Sequence, residues 1–517
     1  MLSTGVVIAL LLIFIFIGLI VILDRLDLLE PVGFELSGPF LMWKTKKGRS
    51  LIDRIAQKKR FWKIFGTMGI VITAIAMVII LFMVAFSAYV ATDVPAEQAP
   101  EAKEVLVLPG INPFIPIGYG IFSVAVAMIV HEFTHGILTR VADVKINALG
   151  IILLVVPLGA FCEPDEEEIE ETERIKRDRM FAAGPTSNIV LGIVLFLIFS
   201  TLFMGFVSPE EDALLVMDMY EDTPADQAGI QPNDHLLEID NESIRTLNDL
   251  EDVDVNLTKD DDQELRKVSV RGRRGEDEVI FENVTPGLVI LSIRKDSPAY
   301  NSELEIKDII SHVEGKEIRN RSALHEALDD KDDQEEFNLT YWRRINREYQ
   351  KNTTTVMLED GKLGIGVNYL GFGFQEGDWY PKFLARPISS AETNTERIQN
   401  VAMYISLPLF GLSPVPDEMT GFYEISGPLS SLPSGAFWIL ANSIYWVLWL
   451  NILLGLFNAL PALPLDGGRL FKDWIGSITE RVGASEELGE KVSTGLTYAM
   501  SFSILFLLMW QLIGPRI

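Results

Sequence analysis

Cysteine is nearly absent: Cys162 is the single one in 517 residues, so no disulfide can form within the chain. Histidine is scarce as well, five in all, which makes two of them within five residues stand out. Basic residues are in the minority, with 44 Lys and Arg against 72 Asp and Glu and a formal net charge of −28. A balance that acidic argues against nucleic acid as a partner. The chain also lacks a basic leader, since residues 1–23 hold no Lys or Arg. With its long apolar core, this stretch reads as a membrane anchor and not as a cleaved signal peptide.

What is present divides into two kinds. Hydrophobic residues make up 48% of the chain and charged residues 22%, with a mean hydropathy of +0.24. That combination suits a chain split between bilayer and water. Uncharged stretches of about 20 residues can cross a bilayer core as helices. Six are expected: residues 2–23, 64–92, 111–130, 180–208, a helix near 436–460 inside the uncharged run 425–465, and 492–515. Residues 44–63 carry nine basic residues and one acidic residue, Asp53. The excess of basic charge in a short loop sets that loop on the cytoplasmic side. The N-terminus and the acidic, proline-containing loop 93–110 then lie outside, and the third span ends toward the cytoplasm at His131. Arg174, Lys176, Arg177 and Arg179 precede the fourth span on the same cytoplasmic side. Residues 146–162 are apolar but broken by Gly150, Pro157 and Gly159, and read as a β-hairpin dipping into the membrane. Backbone at that depth must be shielded by protein or water.

Residues 209–395 are soluble in composition and hold an internal repeat. Asp222-Thr-Pro-Ala225 recurs as Asp296-Ser-Pro-Ala299, Asp234 as Asp308 and Ile244 as Ile318, all at an offset of 74. The pattern resembles PDZ domains, and the first copy, with Ala228-Gly229-Ile230, matches it better than the second, with Ser302-Glu303-Leu304. The acidic runs at 260–262 and 332–333 read as solvated loops. The expected organisation is an N-terminal transmembrane pair with its basic loop (1–110), a first core half (111–208), and PDZ-like domains at 209–285 and 286–358. A linker with an interfacial segment (359–432), whose helix is expected near 401–412, leads to a second core half (433–517). The fold class is a polytopic α-helical membrane protein with a membrane-embedded hairpin and inserted β-rich domains.

The chemistry concentrates in His131-Glu132-Phe133-Thr134-His135. On a helix, positions i and i+4 share a face, so two imidazoles can reach one metal ion while Glu132 accepts a proton from water. Ionisable groups cost about 2.5 kcal/mol or more each at the bilayer centre. Three in one helical turn call for a divalent cation. A catalytic zinc site takes a third protein ligand and keeps one position open. Asp466, the first charge after the uncharged run, follows Asn458-Ala-Leu-Pro-Ala-Leu-Pro-Leu and precedes Gly467-Gly468. The topology puts it at the depth of His131.

His-Glu-x-x-His on one span and Asn-x-x-Pro-x-x-Pro-Leu-Asp-Gly on a later one resemble the two defining motifs of the site-2 proteases of prokaryotic type. Ala183-Gly184-Pro185-Thr186-Ser187-Asn188 is similar to the opening of that family's next core helix. Residues 150–163 resemble its membrane hairpin. The resemblance implies His131, His135 and Asp466 as Zn2+ ligands, Glu132 as general base and acid, Asn458 as a group near the substrate backbone, and Asn188 as structural. It further implies an intramembrane zinc metalloendopeptidase of the plasma membrane, with its active site toward the cytoplasm and its PDZ-like domains outside. The substrates implied are single-span membrane proteins or signal peptides. Two other readings stand beside it: a catalytically inactive membrane-anchored PDZ scaffold, and a zinc protease of unrelated membrane fold with a glutamate as third ligand.

Overall fold

The computed structural model describes the chain apart from residues 1–3, 39, 46–47, 94–100, 102, 104–108, 155, 254, 259–263, 276, 334, 392, 411–413 and 517. Most of the loop 93–110 and the acidic run at 260–262 therefore lie outside the described residues. The chain forms two compact units. The first comprises Met1–Phe199, Ile405–Ser413 and Ile439–Ile517, and the second Ser200–Tyr404 and Pro414–Trp438.

The first unit is built on apolar helices. Its helices include α1 (Thr4–Arg25), α2 (Arg49–Ala56), α3 (Lys59–Val90), α4 (Ile117–Val141), α5 (Arg174–Phe181), α6 (Ala183–Ile198), α7 (Ser434–Asn458), α8 (Asp466–Arg481) and α9 (Glu486–Ile513). Among the described residues five helices are long and apolar enough to cross a membrane: Lys59–Val90, Ile117–Val141, Ala183–Phe206, Ser434–Asn458 and Glu486–Arg516. The first expected span, 2–23, coincides with α1. A helix suits this setting because it satisfies its backbone polar groups within itself. α3 shows how these helices divide their faces. Met68, Val71, Ile75, Val78, Phe82 and Phe86 are exposed, whereas Gly69, Thr73, Ala76, Ile80 and Val84 are buried. The buried face is rich in small residues, which let helix backbones approach closely where lipid supplies no hydrophobic drive between helices. At Gly69 a Cβ would strike the Thr186 hydroxyl, and that hydroxyl donates to Gly69 O at 3.1 Å.

Beside the helices lies a four-stranded antiparallel sheet in the order β1 (Phe34–Ser37), β2 (Phe40–Thr45), β3 (Ile146–Leu154), β4 (Val156–Pro164). The hairpin expected at 146–162 is β3–β4. Its extension by β1–β2 has no counterpart in the sequence reading, because two short strands inside a mixed stretch leave too few residues to show a period of two. Thr45 pairs with Leu149, and Leu149 with Cys162. Among the described residues β4 is left as a sheet edge.

In the second unit two sheets share one topology. The outer sheet runs β10 (Asp277–Val284), β9 (Val268–Arg274), β7 (His235–Ile239), β6 (Leu214–Met219), β17 (Phe372–Glu376), with β8 (Glu242–Ser243) on β7. The inner sheet runs β15 (Glu348–Val356), β14 (Phe337–Ile345), β12 (Ile309–Val313), β11 (Leu288–Ile293), β16 (Ile365–Tyr369), with β13 (Lys316–Glu317) on β12. A short ladder, β5 (Val207–Pro209) with β18 (Tyr423–Ile425), completes the strands. The recurring motifs now have physical reasons. Asp234 and Asp308 are each about 1% exposed, and each takes a two-pronged arginine. Arg274 Nε and Nη2 donate to Asp234 at 2.7 and 2.7 Å, and Arg343 Nε and Nη2 to Asp308 at 2.9 and 2.8 Å. In each Thr/Ser-Pro-Ala motif the alanine N–H donates to the chain just before the fifth strand, Ala225 to Leu370 O and Ala299 to Leu363 O.

Those fifth strands correct the expected linker. Residues 365–376 give one strand to each sheet, through Leu363-Gly-Ile-Gly366 and Leu370-Gly-Phe-Gly373. Gly364 and Gly371 adopt φ of +80° and +82° and press against Ser297 and Thr223 of the two motifs, which a side chain would prevent. The inner sheet is thus nested between β10 and β17 of the outer one. Within 401–412, helix Asn394–Ser406 gives way to a 3-10 turn at Leu407–Phe410, and residues 411–412 lie outside the described residues.

Candidate metal centre

α4 places His131 and His135 one turn apart, with Glu132 beside them. α8 begins at Asp466, whose position depends on the turn before it. Gly467 and Gly468 pack against the backbone of Ala459, Leu460 and Ala462, and any Cβ there would overlap those atoms. Two residues of this pair therefore carry no side chain so that the carboxylate can be folded back toward α4.

The three side chains meet. His131 Nε2 lies 3.0 Å and His135 Nε2 3.1 Å from Asp466 Oδ2, and the two Nε2 atoms are 3.2 Å apart. These separations are close to the edge of a tetrahedron, about 3.3 Å, drawn with metal–nitrogen bonds of about 2.0 Å. The same residues are the group whose donor atoms all lie within 4.8 Å of one another. His131, His135 and Asp466 are 8%, 16% and 17% exposed at the side chain, so the cluster is largely dry.

The outer hydrogen bonds orient the rings for a cation. His135 Nδ1–H donates to Met180 O at 2.8 Å, which leaves the Nε2 lone pair facing the cluster. His131 Nδ1 lies 3.2 Å from the Asn188 amide nitrogen, and that amide is fully buried with its Oδ1 unpartnered among the described residues. A half-turn of that amide sets its oxygen toward the ring, so that Nδ1–H donates to it. His131 Nε2 is then also a free lone pair, the arrangement metal-ligating imidazoles adopt. A Cβ at Gly184 would fall on the Nε2 atoms of both histidines. The space in front of the rings is held open by a missing side chain. The donor set, the tautomers and this open cradle all fit Zn2+.

Glu132 is held from the sheet side: its Oε2 accepts the Cys162 N–H on edge strand β4 at 2.9 Å. Asn458 ends α7, and its Nδ2 donates to Leu454 O of the same helix at 3.0 Å. Sequence reading missed two supports. Asn188 was read as structural, with no sign that it addresses His131. The basic run at 174–179 was read for topology alone, yet Arg177 grips Asp473 of α8 at 2.9 and 3.1 Å and Arg174 grips Glu480 at 3.0 and 2.7 Å. These pairs join α5, which offers Met180 O, to the helix that carries Asp466.

The profile of peptidase family M50 matches residues 119–507. An uncharacterised protein of Methanocaldococcus jannaschii is 29% identical over 219 residues, 42% of this chain and 56% of that protein. Zinc metalloprotease RasP of Oceanobacillus iheyensis is 26% identical over 340 residues, 65% of this chain and 58% of that protein. The matches thus span a little over half of these relatives' own lengths.

Proposed function

The chain belongs to peptidase family M50, the site-2 proteases, and from that premise we propose that it is a zinc endopeptidase that cuts peptide bonds within or beside membrane-spanning segments. The observation that carries this reading is the convergence of His131, His135 and Asp466 in front of Gly184, with Glu132 next to them. Zn2+ held there supplies Lewis acidity toward water and toward a carbonyl oxygen. Glu132 accepts the proton that water loses as it attacks the scissile carbonyl, and returns it to the departing amine. Asn188 and Met180 O keep the two imidazoles in the tautomer this requires.

A peptide bond in a transmembrane helix is covered by its own hydrogen bonds, so the substrate must unwind locally. β4 is a sheet edge beside Glu132, and an extended segment can add to such an edge through main-chain hydrogen bonds. Cys162 N–H already points away from β3 toward Glu132, so the outward donors of this strand fall at alternate residues, Ala160 among them. Ala160→Pro should abolish cleavage while zinc content stays at the wild-type level; cleavage at an unchanged rate would remove β4 from the pathway.

The two nested sheets serve, in this reading, as PDZ-like modules that filter substrates. A cavity of about 440 Å³ opens between β17 and helix Leu247–Asp252, with Leu247, Leu250, Phe374 and Gln375 in its wall. Substrates are single-span membrane proteins or signal peptides, and α1 counts as a sixth span. The basic loop faces the cytoplasm and the nested modules lie outside. Purified protein should hold one equivalent of zinc and cut a transmembrane peptide. Glu132→Gln should keep the metal and lose activity, and Asp466→Ala should lose both. Zinc-loaded wild type inert toward every transmembrane peptide would refute the assignment.

A further inference from the structure

One half-buried cation takes no part in the chemistry above. Arg49 opens α2, and its Nε and Nη2 are both shut off from solvent without a hydrogen-bond partner among the described residues. A buried guanidinium edge left empty is costly, and such a group calls for an explanation. The edge concerned is informative. Nε and Nη2 form the side-on fork that matches the two oxygens of a carboxylate. Elsewhere in this chain that same edge is filled by a carboxylate, Asp473 on Arg177, Asp234 on Arg274 and Asp308 on Arg343.

The position of Arg49 is fixed by its neighbours. Thr45, four residues earlier, pairs with Leu149 of β3, and Leu149 with Cys162 of β4. A Cβ on Gly48 would lie 3.5 Å from Leu149 Cδ1. One turn after Arg49, Ile52 is fully buried, and both its Cδ1 and Cys162 Sγ close over Gly136 of α4. Arg49 lies within electrostatic reach of the Cys162 thiol, and it is Cys162 whose N–H holds Glu132. Asp53 of α2 accepts from Arg140 of α4 at 2.7 Å, so the helix that bears Arg49 is tied to the helix that bears the histidines.

We propose that Arg49 is a substrate-binding residue whose empty Nε/Nη2 fork takes a carboxylate of the substrate, an acidic side chain or a chain end, close to the edge strand that receives it. The assignment rests on the protease reading. Arg49 follows the strand that pairs with the hairpin, on the side that 44–63 marks as cytoplasmic, where an acidic residue flanking a span or a freed C-terminus sits. Because the two nitrogens are covered, an acid reaches them only through a local rearrangement about Arg49.

The test uses full-length protein in detergent and a set of fluorescent transmembrane peptides. One Asp is placed at successive positions on the cytoplasmic flank, each matched to its Asn counterpart, and each peptide is made with a free and an amidated C-terminus. Binding is measured in a Glu132→Gln background, cleavage in the parent. One acid position, or the free chain end, should bind about tenfold more tightly than its amide match, and the difference should appear in KM with kcat little changed. Arg49→Gln should erase that preference, Arg49→Lys should keep part of it, and zinc content and thermal unfolding should hold at wild-type values. The acid-side-chain and chain-end arms identify the source of the carboxylate. Equal acid-to-amide ratios in parent and Arg49→Gln would overturn the assignment. So would a uniform loss for all peptides that follows the content of anionic lipid, which would mark the fork as a phosphate site. Acid-selective binding without cleavage would sink the protease reading and leave the fork standing.

Discussion

At the scale of single residues, the centre depends as much on what is missing as on what is present. Gly184 has no side chain where both Nε2 atoms point. Gly184→Ala is therefore expected to abolish zinc binding while the chain still folds, measured as metal content against the thermal unfolding of the purified protein. Asn188→Ala leaves His131 without its orienting partner and should weaken zinc affinity by about 10- to 100-fold, read by competition with a chelator; Asn188→Asp should recover most of it. The meeting of His131, His135 and Asp466 was legible in the sequence, because i, i+4 spacing and an isolated aspartate after a long uncharged run are patterns with few other causes. Gly184 and Asn188 stood inside a recognisable string, but nothing in one dimension says that its glycine faces two imidazoles or that its asparagine faces one. Asn458, read from its motif as a group near the substrate, donates its Nδ2 to the carbonyl one turn back, as polar side chains inside apolar helices commonly do.

At the scale of elements, apolar length located the long helices to within about six residues, since a bilayer demands a minimum span, except the third, which continues past its expected end at 130 to Val141 because His131, His135 and Arg140 lie inside the helix and interrupt the apolar run that was counted. Which faces meet was not visible. The Arg177–Asp473 and Arg174–Glu480 pairs join residues some 300 positions apart, and their sequence signal, a basic run, is shared with ordinary topogenic loops. The Arg177–Asp473 pair is nearly buried, at 19% and 17% exposure. Arg177→Ala leaves that carboxylate unpaired and should cost about 3 kcal/mol or more, seen as a lower midpoint of thermal unfolding together with weaker zinc retention. Arg174→Ala, more exposed, should cost well under that. β1–β2 and β16–β17 escaped for a common reason. Strands of four to six residues, two of them interrupted by glycine, offer too few alternations to separate from loop.

At the scale of the whole molecule, the repeat offset of 74 was readable and the nesting was not, because the fifth strands reverse the order of the modules they serve. The second unit also carries a device for acid sensitivity. His235 is fully buried, stacked on Phe422 with ring centroids 3.6 Å apart. Burial first, and then the Arg273 charge, push its pKa down to about 3. The unfolded chain, with an ordinary histidine near 6.5, binds the proton more readily. Stability is therefore complete above about pH 6.5 and is lost as pH falls toward 3, at up to about 1.4 kcal/mol per pH unit. Limited proteolysis of the full-length protein across that range should show region 209–438 becoming labile on acidification, and His235→Leu should flatten the response. Excision of 215–375 tests the filtering role. If folded proteins that the wild type spares are then cut, the nested sheets exclude; if cleavage of good substrates stops, they deliver.

That excision is feasible because Leu214 and Glu376 face each other across the β6–β17 ladder, a strand spacing of about 4.8 Å. More than 150 residues hang from one doorway in the chain. Tension applied between those two residues would open β6 from β17 like a zip fastener, pair by pair, and the inner repeat would carry no load until the outer one had given way. In a mechanical unfolding trace the two sheets should therefore rupture in a fixed order, outside before inside.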